Sequence, residues 1–109
     1  MMLQLIKAII RPEKAMSVIT ELMGAGYPAV TKLDVYGRGK QKGIVLNDIR
    51  YDELPKQMLL IVCEVKDRDD IVGIIMRTAR TGEGHFGDGR IFVSPVEKAY
   101  TISSGQEGL

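Results

Sequence analysis

The stretch Met58-Leu59-Leu60-Ile61-Val62-Cys63-Glu64-Val65 decides the fold of this chain. Its apolar residues run without the alternation that a half-exposed strand would show, and its length suits a single strand. Such a run predicts a strand that is buried on both faces. The strand therefore needs a neighbour on each side and cover above and below the sheet.

Three further strands are predicted around this one. Residues 3–10 are short, apolar and partly β-branched, residues 30–36 alternate, and residues 90–96 supply the fourth strand. Pro12 suits the first turn of a helix, which Gly24 and Gly26 end. The apolar residues of that helix predicted to face the core are Met16, Ile19, Leu22 and Met23.

A second helix is predicted after the apolar strand. The carboxylates at its start are Asp67, Asp69 and Asp70, and its apolar stripe is Ile71, Ile74, Ile75 and Ala79. The order strand–helix–strand–strand–helix–strand predicts one α+β domain over residues 1–109, with the ferredoxin-like βαββαβ arrangement of an antiparallel four-stranded sheet and two helices. Two helices cover one face only, so we expect another subunit on the second face.

Composition limits the functional classes. The chain has 15 Lys and Arg residues and 14 Asp and Glu residues, which gives a formal net charge of +1. This near balance argues against duplex nucleic acid or an anionic membrane as partner. Cys63 is the single cysteine, so neither an intrachain disulfide nor a thiolate metal cage is expected. No apolar run is long enough to cross a bilayer, and we expect a cytoplasmic protein without membrane insertion.

Two loops combine glycine with basic side chains. They are Gly37-Arg38-Gly39-Lys40-Gln41-Lys42-Gly43 and Gly87-Asp88-Gly89-Arg90. Neither has the spacing of a Walker loop or of the dinucleotide fingerprint, and each alone is more typical of a solvated turn. The predicted topology places both at one end of the sheet but on opposite edges, where together they favour an anion site. They would come closest across a subunit boundary, so the site would be an intersubunit cleft.

Five blocks of the sequence together resemble the P-II nitrogen-signalling family. They are Ala8-Ile9-Ile10-Arg11-Pro12, the Gly37-to-Gly43 loop, Leu54-Pro55-Lys56, Arg77-Thr78-Ala79-Arg80-Thr81-Gly82 and Gly87-Asp88-Gly89-Arg90-Ile91-Phe92-Val93. The resemblance implies a homotrimer of ferredoxin-like subunits that binds ATP or ADP between them. It also implies 2-oxoglutarate bound together with Mg²⁺-ATP, and a loop over about residues 38–54 that docks on target proteins. A second nucleotide loop would span about 81–90, and a C-terminal segment about 97–109.

The resemblance also assigns residues by matching position. Ile9, Thr31 and Val62 would line the adenine pocket, and Gly37, Gly39, Lys40, Gly87, Asp88, Gly89 and Arg90 would hold the phosphates. Gln41 would help to coordinate Mg²⁺ beside 2-oxoglutarate, whose carboxylates would be held by Lys56 and by the loop at Lys42 and Gly43. The docking loop would present Val45, Leu46, Asn47, Asp48, Ile49, Arg50 and Tyr51.

Within the family the chain is most similar to the NifI subgroup, on three blocks: Gly39-Lys40-Gln41-Lys42-Gly43-Ile44, Asp48-Ile49-Arg50-Tyr51-Asp52-Glu53-Leu54-Pro55 and Tyr100-Thr101-Ile102-Ser103-Ser104-Gly105. This similarity implies control of nitrogenase by docking on dinitrogenase, together with a paralogous P-II-like chain. A generic regulator of an ammonium transporter or nitrogen-assimilation enzyme is the alternative. Thr101 and Ser103 stand where common P-II proteins carry two arginines that reach the phosphates.

Two other functional classes fit the sequence less well. An RNA-recognition domain of this topology would carry stacking aromatics on its central strands, and strands one and three have none. An enzyme would need a paired acid and base or an activated nucleophile, but His85 is the only histidine and Cys63 lies within a strand. The sequence therefore predicts a regulator that acts by binding.

Overall fold

The computed structural model of the chain describes residues 2–37, 44–46, 49–51 and 53–109. The described strands are β1 (Leu3–Ile10), β2 (Thr31–Gly37), β3 (Ile44–Leu46), β4 (Ile49–Tyr51), β5 (Leu54–Glu64), β6 (Gly89–Val96), β7 (Tyr100–Thr101) and β8 (Gln106–Glu107). The described helices are α1 (Pro12–Gly24) and α2 (Val65–Ala79).

The main sheet has the strand order β2-β5-β1-β6, and all of its pairings are antiparallel. This order confirms the predicted ferredoxin-like arrangement, with the apolar strand β5 at the centre beside β1. Ala8 lies opposite Leu59 on one side and opposite Ile91 on the other, which fixes the register of the three strands. β5 begins four residues earlier than predicted because Leu54 already pairs with Gly37 at the end of β2.

Both helices pack on the same face of the sheet and form the core there. The buried residues of this core are Ile6, Ala8, Ile10, Ala15, Val18, Leu22, Leu59, Ile61, Cys63, Ile71, Ile74, Ile75 and Ala79. The stripe predicted for α2 is confirmed. Its start is not capped by an aspartate, since α2 begins at Val65, whose N–H donates to the Met2 carbonyl over 3.1 Å.

The stripe predicted for α1 is partly wrong. Leu22 is fully buried, but Met16 and Met23 are 65% and 57% exposed. The residues that face the sheet are Ala15, Val18 and Leu22, spaced by three and four positions. Met16 and Met23 each follow a buried residue, and one residue is a rotation of about 100° around a helix, which turns both methionines to solvent.

The second face of the sheet is open within a single chain. Leu33, Val62 and Phe92 are 40%, 37% and 49% exposed there. Val62 lies opposite Leu5, and Phe92 lies opposite Lys7, so these side chains alternate with the buried ones of the helix face. Burial of β5 on its second face, by another subunit, stays a prediction.

Candidate functional site at the glycine-loop end of the sheet

Four strand ends meet at one end of the sheet. Gly37 at the end of β2 lies opposite Leu54 at the start of β5, and Ile10 at the end of β1 lies opposite Gly89 at the start of β6. Both glycine loops therefore leave the sheet at this end, as predicted. Their strands are the two edges of the sheet, separated by three strand spacings, or about 14 Å.

Most of the first glycine loop lies outside the described residues. This applies to Arg38, Gly39, Lys40, Gln41, Lys42 and Gly43, and in the docking loop to Asn47 and Asp48. Gly37 is described as the last residue of β2, and its α-carbon faces the Lys56 side chain. The docking loop contains a feature that the sequence did not predict, an antiparallel hairpin of β3 and β4.

The second glycine loop ends the segment that joins α2 to β6, and residues 80–88 of this segment are held together by Asp88. Its Oδ2 accepts hydrogen bonds from the backbone N–H groups of Thr81, at 3.0 Å, and His85, at 2.9 Å. The Asp88 N–H in turn donates to the His85 carbonyl over 3.2 Å. Burial alone would raise the pKa of the Asp88 carboxyl, but the two backbone N–H groups and Arg11 hold that pKa well below its usual range.

Two basic side chains reach this loop from neighbouring strands. Arg11, directly after β1, places Nε 3.1 Å from Asp88 Oδ1 and Nη2 2.9 Å from the Phe86 carbonyl oxygen. Lys56, in β5, donates from Nζ to the Gly87 carbonyl oxygen over 2.6 Å. Burial, and then the nearby charge of Arg11, lowers the pKa of Lys56. Both cations therefore contact the loop directly, Arg11 at Asp88 and Phe86 and Lys56 at Gly87.

Gly89 fixes how closely the loop approaches the sheet. Its φ is +117°, and a β-carbon at this position would overlap the backbone of Ile9, with the Ile9 carbonyl carbon only 2.9 Å away. Only glycine meets both conditions. The backbone entering β6 therefore lies directly against the end of β1, beside Arg11.

The three residues assigned to adenine lie on one face of the sheet but not in one pocket. Ile9 lies opposite Met58, Thr31 opposite Leu60, and Val62 opposite Leu5, all on the open face. Met58 and Val62 are four residues apart on β5, or about 13 Å. Ile9 and Val62 of one chain are therefore too far apart to contact the same base, and the assignment of these residues to adenine stays a prediction.

A groove of about 350 Å³ lies at the other end of β5, away from both glycine loops. Its lining residues are Tyr27, Pro28, Ala29, Ile61, Val62, Cys63, Glu64, Asp67, Ile71 and Leu109. No lysine or arginine is among them, and two are carboxylates. This groove does not suit phosphate, and the basic end of the sheet remains the candidate site.

Sequence reasoning missed two features of the site. Arg11 was part of a family-like block but had no predicted role, and the carbonyls of Phe86 and Gly87 were not expected to be acceptors. The available signal was the position of Arg11, one residue beyond a strand that ends where the glycine loops begin. Across the described parts of the chain, no three His, Cys, Asp or Glu side chains gather into a metal site.

None of the helices in the described ranges has the length and apolar character needed to cross a bilayer.

The fold and the two glycine loops at one sheet end define a small ferredoxin-like regulator of the P-II class. The chain belongs to this family, since the family described as nitrogen regulatory protein P-II matches residues 3–106. It is 55% identical to the "Nitrogen fixation nifHD region GlnB-like protein 1" of Methanobacterium ivanovii, over 98% of this chain and all of that one.

Further relatives agree with this placement. The chain is 54% identical, with the same coverage, to the "Nitrogen fixation nifHD1 region GlnB-like protein 1" of Methanosarcina barkeri. Its structure is similar to that of Arabidopsis thaliana PII bound to citrate, with a TM-score of 0.79, 29% identity and coverage of 97% of this chain and 85% of the other. The predicted resemblance to P-II proteins, and to their nitrogen-fixation subgroup, is confirmed.

Proposed function

We propose that this protein senses nitrogen status by binding ATP or ADP, and 2-oxoglutarate with Mg²⁺, in clefts between the subunits of a homotrimer. The observation that carries the proposal is the pair of glycine loops at one end of the sheet, beside Arg11 and Lys56. Glycine backbone and cationic side chains suit phosphate groups, and the Lys56 side chain lies between the two loops: a β-carbon at Gly37, where the first loop begins, would be 3.5 Å from Lys56 Cγ, and Lys56 Nζ is 2.6 Å from the Gly87 carbonyl oxygen.

The assignment of residues follows the family pattern. Ile9, Thr31 and Val62 contact adenine, and Gly37, Gly39, Lys40 and residues 87–90 surround the phosphates. Gln41 coordinates Mg²⁺ beside 2-oxoglutarate, and Lys42, Gly43 and Lys56 hold its carboxylates. 2-Oxoglutarate is a bidentate oxygen ligand, and Mg²⁺ bound to phosphates keeps coordination positions for such a ligand.

Lys56 is well placed to report on 2-oxoglutarate. Its amine donates a hydrogen bond to the Gly87 carbonyl oxygen, which is a neutral acceptor. A carboxylate forms a stronger, charge-assisted hydrogen bond with the same amine. Binding of 2-oxoglutarate would therefore draw Lys56 from Gly87, and this exchange would couple the ligand to the second glycine loop.

The output of the sensor is docking of the loop around residues 38–54 on a target protein, without catalysis by the chain itself. Nitrogenase is the favoured target because relatives that match the chain over its full length are named for the nitrogen fixation nifHD region. A paralogous P-II-like chain is the expected companion. If 2-oxoglutarate releases the target, then bound 2-oxoglutarate lowers the affinity for the target, and the bound target must lower the affinity for 2-oxoglutarate by the same factor.

A generic regulator of an ammonium transporter or nitrogen-assimilation enzyme is the second candidate. It is supported by 42% identity to the "Nitrogen regulatory protein P-II 2" of Methanothermobacter thermautotrophicus, over 94% of this chain. Both candidates share the ligand sites and a cytoplasmic location. Co-purification of the target from nitrogen-fixing cells distinguishes them.

Isothermal calorimetry of 2-oxoglutarate into the purified protein, with and without Mg²⁺-ATP, tests the sensor. We expect heat of binding only when Mg²⁺-ATP is present. Absence of binding in both conditions would refute the proposal for this chain alone. It would indicate that Thr101 and Ser103, at the positions of two arginines in common P-II proteins, leave the site incomplete without a partner chain.

Substitution of Gln41 tests the assignment of the metal site. Gln41→Ala should weaken 2-oxoglutarate binding at least about tenfold but change ATP affinity by less than about threefold, because the phosphates keep their other ligands. Gln4→Ala is the matched control, since Gln4 accepts a hydrogen bond from Arg68 at the far end of the sheet. An equal loss of both ligands in calorimetry would contradict the separate roles.

A further inference from the structure

We propose that Arg11 and Asp88 are positioning residues of the second glycine loop, which fix its backbone for the phosphates and do not themselves contact the nucleotide. The inference rests on the proposed function, because it concerns how the same phosphate site is held. It gives Asp88 a different role from that of a direct phosphate ligand, and it gives Arg11 a role in the site.

Both carboxylate oxygens of Asp88 are already engaged within the protein. Oδ2 accepts two backbone N–H groups, from Thr81 and His85, and Oδ1 accepts the Arg11 Nε. The side chain is only 18% exposed. A carboxylate held in this way is turned toward its own loop, and its negative charge would repel a phosphate if it faced one.

Arg11 anchors the loop to the rigid part of the fold. It follows β1 directly, and β1 is a central strand paired along its whole length with β5 and β6. Its guanidinium bonds both Asp88 and the carbonyl of Phe86, residues that are 77 and 75 positions away in sequence. The planar guanidinium thus fixes two points of the loop at once, which the ammonium group of a lysine would do less rigidly.

The two cations also orient consecutive carbonyl groups of the loop. Arg11 holds the Phe86 carbonyl and Lys56 holds the Gly87 carbonyl. These two hydrogen bonds fix the directions of both carbonyl groups, and therefore the orientations of the peptide planes 86–87 and 87–88. Arg11 and Lys56 therefore order this backbone, and the contacts of Arg11 and Asp88 with each other and with the loop form a clamp.

The direction in which Asp88→Asn changes ADP affinity distinguishes a positioning role from the alternatives. In Asp88→Asn the side-chain NH₂ must face N–H donors whichever way the amide turns, so the clamp is broken while the shape is kept. A positioning residue predicts weaker ADP binding by about tenfold. A carboxylate that merely faces the phosphates predicts tighter binding, and a ligand of Mg²⁺ predicts a loss that appears only with Mg²⁺.

The experiment is calorimetry of ADP and of adenosine into the full protein, with and without Mg²⁺, for Asp88→Asn, Arg11→Gln and the double variant. Asp69→Asn is the matched control, because Asp69 Oδ1 accepts a hydrogen bond from Arg68 Nε over 3.0 Å on α2, where the Asp69 side chain is 88% exposed. Hydrogen exchange at the Thr81 and His85 amides, measured without nucleotide, reports whether the loop has loosened.

We expect both single variants to lose about tenfold in ADP affinity with or without Mg²⁺, and to keep their affinity for adenosine, which has no phosphate. The double variant should be little weaker than either single one, since the two residues act as one unit. Faster exchange at Thr81 and His85 should accompany the loss, and the control should show neither effect.

Three results would overturn the positioning role. They are unchanged or tighter ADP binding in Asp88→Asn, a loss confined to Mg²⁺-containing samples, and additive losses in the double variant. Equal loss of adenosine and ADP would also count against it, since that indicates general destabilisation. If the unsubstituted protein bound neither ATP nor ADP, the proposed function would fail instead, and this result is distinguishable from the others.

Discussion

At the scale of single residues, Gly89 is the position with the least freedom. A β-carbon there would overlap the backbone of Ile9, and the φ of +117° is unfavourable for any other L-residue. We predict that Gly89→Ala lowers the free energy of unfolding by at least about 3 kcal/mol, because β6 would have to move from β1. Urea denaturation followed by circular dichroism measures the change.

The control for this substitution is Gly24→Ala. Gly24 is the last residue of α1, has nothing within 4 Å of the position that a β-carbon would take, and does not have a positive φ. Alanine there should be neutral or raise stability by up to about 1 kcal/mol, through its greater helix propensity and the reduced entropy of the unfolded chain. Similar losses in both variants would mean that Gly89 is not specially constrained.

Tyr27 is expected to make the free energy of unfolding depend on pH in the alkaline range. Its hydroxyl donates to Asp70 over 2.8 Å, and this bond, with burial and the charge of Asp70, raises the pKa of Tyr27 to about 12. The unfolded pKa is about 10, so the folded state keeps the proton longer. The stability that this bond contributes is fully present below pH 10 and is lost as the pH rises toward 12.

We expect unfolding midpoints in urea to fall between about pH 10 and 12, and to fall less in Tyr27→Phe. Absorbance titration of the phenolates should show a late-titrating component in the unsubstituted protein that Tyr27→Phe lacks. Identical pH profiles for the two proteins would show that the Tyr27–Asp70 bond does not form in solution.

At the scale of elements, the sequence predicts the type and order of the main strands and helices, because the helices repeat their apolar residues with a helical period and the central strands are short apolar runs. It does not predict which way α1 is turned. Met16 and Met23 are apolar and helix-spaced, as Ala15, Val18 and Leu22 are, and only packing against the sheet decides between the two stripes. The β3–β4 hairpin was missed because its strands have three residues each.

The candidate site divides in the same way. Strand order alone places both glycine loops at one end of the sheet, because in an antiparallel βαββαβ sheet the end of β2 and the start of β6 lie at the same end. The clamp of Arg11 and Asp88 lies beyond such reasoning. It joins residues 77 positions apart, and it depends on the register of Ile10 with Gly89 and on side-chain directions that no local pattern contains.

The two stripes of α1 give a matched test at neighbouring positions. Leu22→Ala should lower the free energy of unfolding by about 2–5 kcal/mol, because a fully buried side chain leaves a cavity. Met23→Ala should change it by less than about 0.5 kcal/mol, because Met23 is 57% exposed. Comparable losses in urea denaturation would indicate that another subunit or segment buries Met23.

At the scale of the whole molecule, the open face of the sheet is the feature that one chain leaves incomplete. The helix face is sealed by two helices, whereas Leu33, Val62 and Phe92 on the other face remain 37–49% exposed. Large exposed apolar patches mark interaction surfaces in soluble proteins. The same face carries Ile9, Thr31 and Val62, so an assembly that covers it would also bury the residues proposed to contact adenine.

Phe92→Glu tests whether this face is the surface on which the proposed trimer forms. A carboxylate there would be desolvated on assembly, so we predict dissociation to monomers in sedimentation equilibrium. Met76→Glu is the control, since Met76 has the same 49% exposure as Phe92 but lies on α2, in the helical layer. The monomeric variant should also lose ADP binding, because each proposed cleft would be built from two subunits. A trimer that persists in Phe92→Glu would contradict an intersubunit site at this face, and so would a monomer that still binds ADP with full affinity. Dissociation together with loss of ADP binding would show that assembly and sensing depend on the same sheet face.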